Sequence, residues 1–139
     1  MATDRNTRII DEFRTNEGRV GGYFEGHTLL LLHTKGAKSG EPRVNPLAYL
    51  PDGDRLVIFA TKGGSPTNPD WYHNLMANPD VTVEVGTETF PVRAVEIQDD
   101  CEHDALYARQ TERMPGFADY PKRTSRRIPV IALERVDRA

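Results

Sequence analysis

A chain of 139 residues has the length of one domain, 1–139, and can bury about 70% of the surface that its unfolded form exposes. Its net charge of −3 excludes a broad nucleic-acid-binding surface, and its one cysteine, Cys101, excludes an internal disulfide and thiolate-rich metal centres. No apolar run is long enough to span a bilayer and residues 1–8 lack the apolar core of a signal segment, so a soluble protein of a reducing compartment is expected.

Ile9, Ile10 and Phe13 recur at helical spacing among charged residues, which predicts a short amphipathic helix over about residues 4–15, ended by Gly18, Gly21 and Gly22. Residues 27–34 have strand character. Residues 44–50 and 55–61 read as a hairpin around Pro51-Asp52-Gly53-Asp54, a turn cluster containing Asp-Gly. Asn68-Pro69 offers an N-cap followed by proline at the first helical position, and Asn78-Pro79 offers a stop, so Pro69–Ala77 should be a short helix. Val81, Val83 and Val85 alternate with polar residues, and Gly86-Thr87 turns the chain into a strand over 88–97. Phe90, Val92 and Ala94 share one parity while Val95 and Ile97 take the other, which predicts a bulge or sharp bend at Ala94-Val95. Asp99, three residues before Glu102, resembles a capping box, opening a helix through about Arg113 that Pro115-Gly116 ends. Ile128 to Val136 is the last strand. About six antiparallel strands with short helices between them give a mainly β (α+β) class and favour a small antiparallel barrel over an α/β sheet.

Two glycine-rich segments follow strands and carry lysine: Thr34-Lys-Gly-Ala-Lys-Ser-Gly-Glu-Pro-Arg43 and Thr61-Lys-Gly-Gly-Ser-Pro-Thr-Asn-Pro-Asp-Trp71. Glycine lets backbone N–H groups approach an anion closely, and Lys35, Lys38, Arg43 and Lys62 add charge, so the pair reads as one site for a phosphate-bearing ligand. The plainer reading is solvated charges on turns. Against it stands Lys62, a few residues before a helix N-terminus whose dipole favours an anion. Trp71 and Tyr72 are either core anchors or one wall of a slot for a flat ring, and Phe117 and Tyr120 pose the same choice. HExxH, CxxC, GxSxG and Walker patterns are absent, and His27, His33, His73 and His103 are scattered, so no metal site is expected. Lys122, Arg123, Arg126 and Arg127 form a basic cluster before the last strand, read as a solvated strand entrance.

Taken in order, Gly18-Arg-Val-Gly-Gly22, Lys38-Ser-Gly-Glu-Pro-Arg43 with Asn45-Pro-Leu47, Lys62-Gly-Gly64, Asn68-Pro-Asp-Trp-Tyr-His-Asn-Leu75 and Asn78-Pro79 resemble the deazaflavin (F420)-dependent nitroreductase family. The resemblance covers about residues 18–130 and implies a split β-barrel and a two-electron reductase using coenzyme F420. It implies cofactor contacts from Ala37, Lys38, Ser39 and Arg43, from Val44, Asn45, Pro46, Leu47 and Ala48, from Phe59, Ala60, Thr61 and Lys62, and from Asp70, Trp71 and Asn74. Lys38, Arg43 and Lys62 would take the phosphate and carboxylates. The acceptor would be a planar quinone or nitroaromatic compound in a pocket shaped by Tyr49, Phe117 and Tyr120, with Thr61, Tyr120 or a water that they hold as proton source. Ala37, Ala48 and Arg123 stand where relatives carry arginine or aromatic residues, so the acceptor pocket has its own shape. The protein would be cytoplasmic, or peripheral at the inner membrane face where the acceptor is a membrane quinone, and monomeric or dimeric. An FMN-dependent oxidoreductase of the same fold and a non-catalytic F420 carrier are the competing readings.

Overall fold

The computed structural model describes residues 2–17, 29–62, 67–124 and 127–136. The glycines expected to end the first helix (Gly18, Gly21, Gly22), Gly63-Gly64 after Lys62, and Arg126 lie outside them. Seven strands form one antiparallel sheet: β1 (Leu29–Lys35), β2 (Pro42–Ala48), β3 (Leu50–Asp52), β4 (Arg55–Phe59), β5 (Asp80–Val85), β6 (Glu88–Glu96) and β7 (Val130–Arg135). Their spatial order is β2-β1-β5-β6-β7-β4-β3. Strands β2 and β3 therefore occupy opposite edges of the sheet, yet only Tyr49 separates them in the chain. Because one residue advances the backbone by only about 3.5 Å, the sheet must curl until its two edges meet. That curl makes the barrel.

The junction also corrects the predicted hairpin. Residues 44–50 were expected to form one strand paired with 55–61; instead the strand starts at Pro42 and divides at Tyr49. Its first part pairs with β1 (Leu32 opposite Asn45), and only β3 pairs with β4 (Leu50 opposite Val57). The turn is where Pro51 to Asp54 placed it, with Gly53 at φ 57°. The number of strands is seven rather than about six for the same reason.

Strands β1, β4 and β7 are buried on both faces, which explains their near-continuous apolar runs. Leu30, Leu32, Ile58, Ile131 and Leu133 point into the barrel with Val81, Val83 and Val92. The alternate residues Val57, Phe59, Val130 and Ala132 face outward beneath α3 (Asp100–Arg113), against Leu106, Met114 and Phe117. Leu29 and Leu31 face outward beneath α1 (Ala2–Thr15) and meet Phe13, which is 1% exposed, with Ile9, Ile10 and Val44 at the margin. The apolar stripe of α1 is thus committed to the barrel, and no described helix is long and apolar enough to cross a membrane.

Helix α2 (Asp70–Ala77) closes one end of the barrel with Trp71 and Leu75. It begins one residue later than expected. Pro69 keeps an extended backbone (φ −66°, ψ 155°) and takes the capping position assigned to Asn68, its carbonyl accepting the Tyr72 N–H at 3.0 Å. Asn78 ends the helix as expected, its N–H donating to the Asn74 carbonyl at 3.0 Å. On α3 half of the capping box forms: Asp99 accepts the Glu102 N–H at 2.8 Å, while the Glu102 carboxylate turns to Arg55 at 3.0 Å. The predicted bulge at Ala94-Val95 is absent. Strand β6 keeps an unbroken register with β5 through Arg93 and with β7 from Val92 to Glu96. Its change of parity arises because Val95 is exposed on the outer face, whereas Ile97, beyond the strand end, tucks under α3. After α3 the chain makes a 3-10 turn at Pro115–Asp119 and a short helix α4 (Tyr120–Arg123).

Candidate functional site

A cleft of about 990 Å³ opens where the β1–β2 loop, the start of β2, Lys62 and α2 converge. Ala37, Lys38 and Ser39 line it from the loop, Arg43, Val44 and Asn45 from β2, and Asp70, Trp71 and Asn74 from α2. Pro46, Leu47, Ala48, Phe59, Ala60 and Thr61 do not line it. They continue the same two strands away from its mouth. Five further residues line it: Thr7 and Ile10 of α1 and His73 escaped sequence reasoning, while Gly36 and Pro69 lie in the two glycine-rich segments read as an anion site. Ile10 was legible only as an apolar helix position, and nothing in the sequence shows that α1 lies against β2.

The loop is held by a closed set of hydrogen bonds. Gly36 N–H donates to the Glu41 carbonyl and Gly40 N–H to the Gly36 carbonyl, each at 2.8 Å. Glu41 N–H donates to Ser39 Oγ at 3.2 Å, and Ala37 N–H donates across the cleft floor to Asn74 Oδ1 at 2.9 Å. A Cβ on Gly36 would lie 2.5 Å from Ser39 Oγ, and Gly40 has φ +71°, so both glycines serve the turn. Two consecutive amides, Lys38 and Ser39, are left without an acceptor among the described residues. Paired free N–H groups of this kind form an anion-binding concavity.

The charges point the same way. Arg14, Arg55, Arg93, Arg109, Arg127 and Arg135 each sit beside a carboxylate. Lys38 and Arg43 have none among the described residues. Lys62, with a left-handed backbone (φ 45°), reaches the Thr67 hydroxyl at 3.2 Å. In a chain of net charge −3, two cations without a carboxylate among the described residues, Lys38 and Arg43, line one cleft together with Lys62. Asn74 enters as the tether of the loop: Asn74→Ala should speed amide exchange at Ala37 at least about tenfold by removing a buried acceptor, whereas Asn74→Asp keeps it. Equal protection in both variants would assign the loop's shape to its own bonds.

Thr61 and Tyr120 do not line the cleft, and their surroundings are connected to it by the end of strand β4. Its Phe59 ring meets Phe117 edge-on at 5.9 Å and Tyr107 at 5.7 Å, and Phe117 meets Tyr120 at 5.2 Å. The Tyr107 hydroxyl fixes this cluster by donating to the Phe117 carbonyl at 2.7 Å, and the Arg123 guanidinium stands 5.9 Å above the Tyr120 ring. Three residues on, Lys62 is in the cleft, with Thr61 between the two regions and its N–H donating to the Phe59 carbonyl at 2.9 Å. Tyr49 is not part of that aromatic cluster. It packs on the barrel interior, where burial pushes its hydroxyl pKa up against the opposing field of Arg113. Tyr72 likewise serves packing: burial and its 2.6 Å hydrogen bond to Glu96 push its pKa up to about 12. Among the described residues no group of three or more histidine, cysteine, aspartate or glutamate side chains could hold a metal ion.

The comparisons with known proteins agree with one another. Residues 6–135 match the family model described as F420H(2)-dependent quinone reductase. The F420H(2)-dependent quinone reductase Rv1261c of Mycobacterium tuberculosis is 45% identical over 129 residues, 88% of this chain and 85% of that protein. A solved F420-H2 dependent reductase (FDR-A) superposes with a TM-score of 0.69 at 36% identity, covering 76% of this chain and 93% of its own. A domain-swapped dimer superposes with a TM-score of 0.70 at 32% identity, over 96% of this chain and all (100%) of that one. With a curled seven-strand barrel and a family match over nearly its whole length, the chain belongs to the F420H(2)-dependent quinone reductases, on a split β-barrel fold.

Proposed function

We propose that the protein binds reduced coenzyme F420 in the cleft and reduces a quinone there by hydride transfer. The observation that carries this reading is the convergence on one cleft of the Lys38 and Ser39 amides, without an acceptor among the described residues, and of Lys38 and Arg43, without a carboxylate among them. Such a set fits a ligand bearing a phosphodiester and several carboxylates. When bound, the deazaflavin supplies a hydride, and the quinone takes that hydride and a proton to become the quinol.

Each remaining task falls to residues of this chain. Lys38, Ser39, Arg43 and Lys62 hold the anionic part. The open edge of β2 offers a polar rail for a ring: Pro42 and Pro46 share one parity and sit where a missing N–H faces away from the ladder, so Val44 and Ala48 turn their amides outward. Trp71 and Asp70 form the opposite wall. Thr61, at the junction of cleft and aromatic cluster, and Tyr120, beyond Phe117, hold the proton that the reduced acceptor needs. Phe117 lends that end of the site an apolar surface suited to a planar quinone. The cytoplasm is the compartment proposed, where the exposed free thiol of Cys101 persists.

The test is a pair of titrations followed by turnover. F420 should bind and FMN should not, and anaerobic mixing with reduced F420 and menadione should oxidise the cofactor faster than buffer does. Tight FMN binding with F420 left free would move the protein to flavin chemistry. F420 binding without turnover would make it a carrier.

A further inference from the structure

Helix α1 presents a stripe of three residues on one face, Thr7, Ile10 and Arg14, spaced three and four apart. Its upper part is in the candidate site, since Thr7 and Ile10 line the cleft. Its lower part is clamped to the barrel. Glu84 of β5 receives Arg14 through two bonds, Nη2 to Oε2 at 2.7 Å and Nε to Oε1 at 3.2 Å, and lies 2.6 Å from His33 Nε2 of β1. The Arg14 guanidinium, and then His33, hold this partly buried carboxylate below the ordinary glutamate range. Between the two ends Phe13 is fully buried against Leu29 and Leu31. One carboxylate thus ties together α1, β1 and β5, and the same helix face runs from that tie to the cleft wall.

We propose that Glu84 is a positioning residue for the cleft: by holding Arg14 it sets the helix stripe that forms the wall, so a ligand in the cleft and the docking of α1 reinforce each other. The inference rests on the cofactor reading. Ligand contact with Thr7 and Ile10 stabilises the docked helix, and by linkage whatever loosens the helix weakens the ligand. The Glu84 carboxylate does not reach the cleft, so its effect passes through the helix.

The experiment is hydrogen exchange across residues 7–15 with and without F420, alongside F420 binding followed by the cofactor's own fluorescence, in wild type, Glu84→Gln and Arg93→Ala. The last variant removes another pair on the same sheet, Arg93 to Asp80 at 3.0 Å, away from the cleft. Saturating F420 should slow exchange in α1 of the wild type. Glu84→Gln should speed it and weaken binding about 2- to 5-fold, the loss of one partly exposed ion pair, while the sheet's circular dichroism holds and Arg93→Ala matches wild type. If wild type binds F420 with α1 exchange unchanged and Glu84→Gln binds equally well, the positioning role is overturned and the cofactor reading stands. If wild type binds no F420, both fall.

Discussion

Arg43→Ala and Lys38→Ala should each weaken F420 binding by about 10- to 150-fold, the range of about 1.5–3 kcal/mol for hydrogen bonds to charged groups. The expectation rests on what these two side chains lack. Arginines elsewhere on the barrel are neutralised by carboxylates, as Arg55 is by Asp52 and Glu102, so they have little to offer an incoming anion. Lys38 and Arg43 carry no such partner among the described residues, and the Lys38 and Ser39 amides of the same loop have no acceptor among them. Lys62 should fall at the low end, because its ammonium must first leave the Thr67 hydroxyl. Fluorescence titrations at two ionic strengths check the mechanism as well as the size: the wild-type affinity should fall with salt, and the double variant should have lost much of that dependence. Unchanged affinity in all three single variants would remove the anion from this cleft altogether.

Trp71→Ala should cost about 3–5 kcal/mol of stability, the usual range for deleting a buried tryptophan, and lower the Tm by about 10–20 °C. Trp71 is 7% exposed and packs among Leu30, Ile58, Val81 and Leu75, yet it also lines the cleft. Trp71 is therefore a core anchor, and its place on the cleft lining supports its second reading, as one wall of a slot for a flat ring. Trp71→Phe separates them, because it keeps most of the packing while narrowing the wall. We expect Trp71→Phe to retain most of the stability in thermal melts and still to weaken F420 binding. A melt of Trp71→Ala within a few degrees of wild type would show that α2 does not plug the barrel.

Elements whose signals are local were readable from sequence. Asp99 and Glu102 marked the start of α3, Gly86-Thr87 a hairpin, and Asn78-Pro79 the end of α2, because each depends on backbone geometry within a few residues. The split of residues 42–52 between two ladders was not, since Tyr49 has no turn chemistry; the division comes from which strands lie on either side of it. Parity misled at Val95, where a bulge was inferred from an apolar residue that is simply exposed. In the site, the glycine-lysine loop announced itself through residue type. The contributions of Thr7 and Ile10 required knowing that α1 crosses β2, and the tether from Asn74 to Ala37 joins residues 37 apart in sequence.

The single residue between the two sheet edges also shapes how the barrel can assemble. Strands β1–β2 and β3–β4 are hairpins of neighbouring segments, so they can form early and meet at Tyr49 as a corner. The β5–β6–β7 unit must then enter the gap between β1 and β4, through the distant pairings of Leu32 with Val83 and Ile58 with Ile131. Those two ladders, with the β6–β7 ladder that pairs Val92 with Arg135, carry most of the loop-closure entropy and should set the folding rate. Until they close, β1 and β4 stand as open edges of a half-built barrel, where a second unfolded chain could pair.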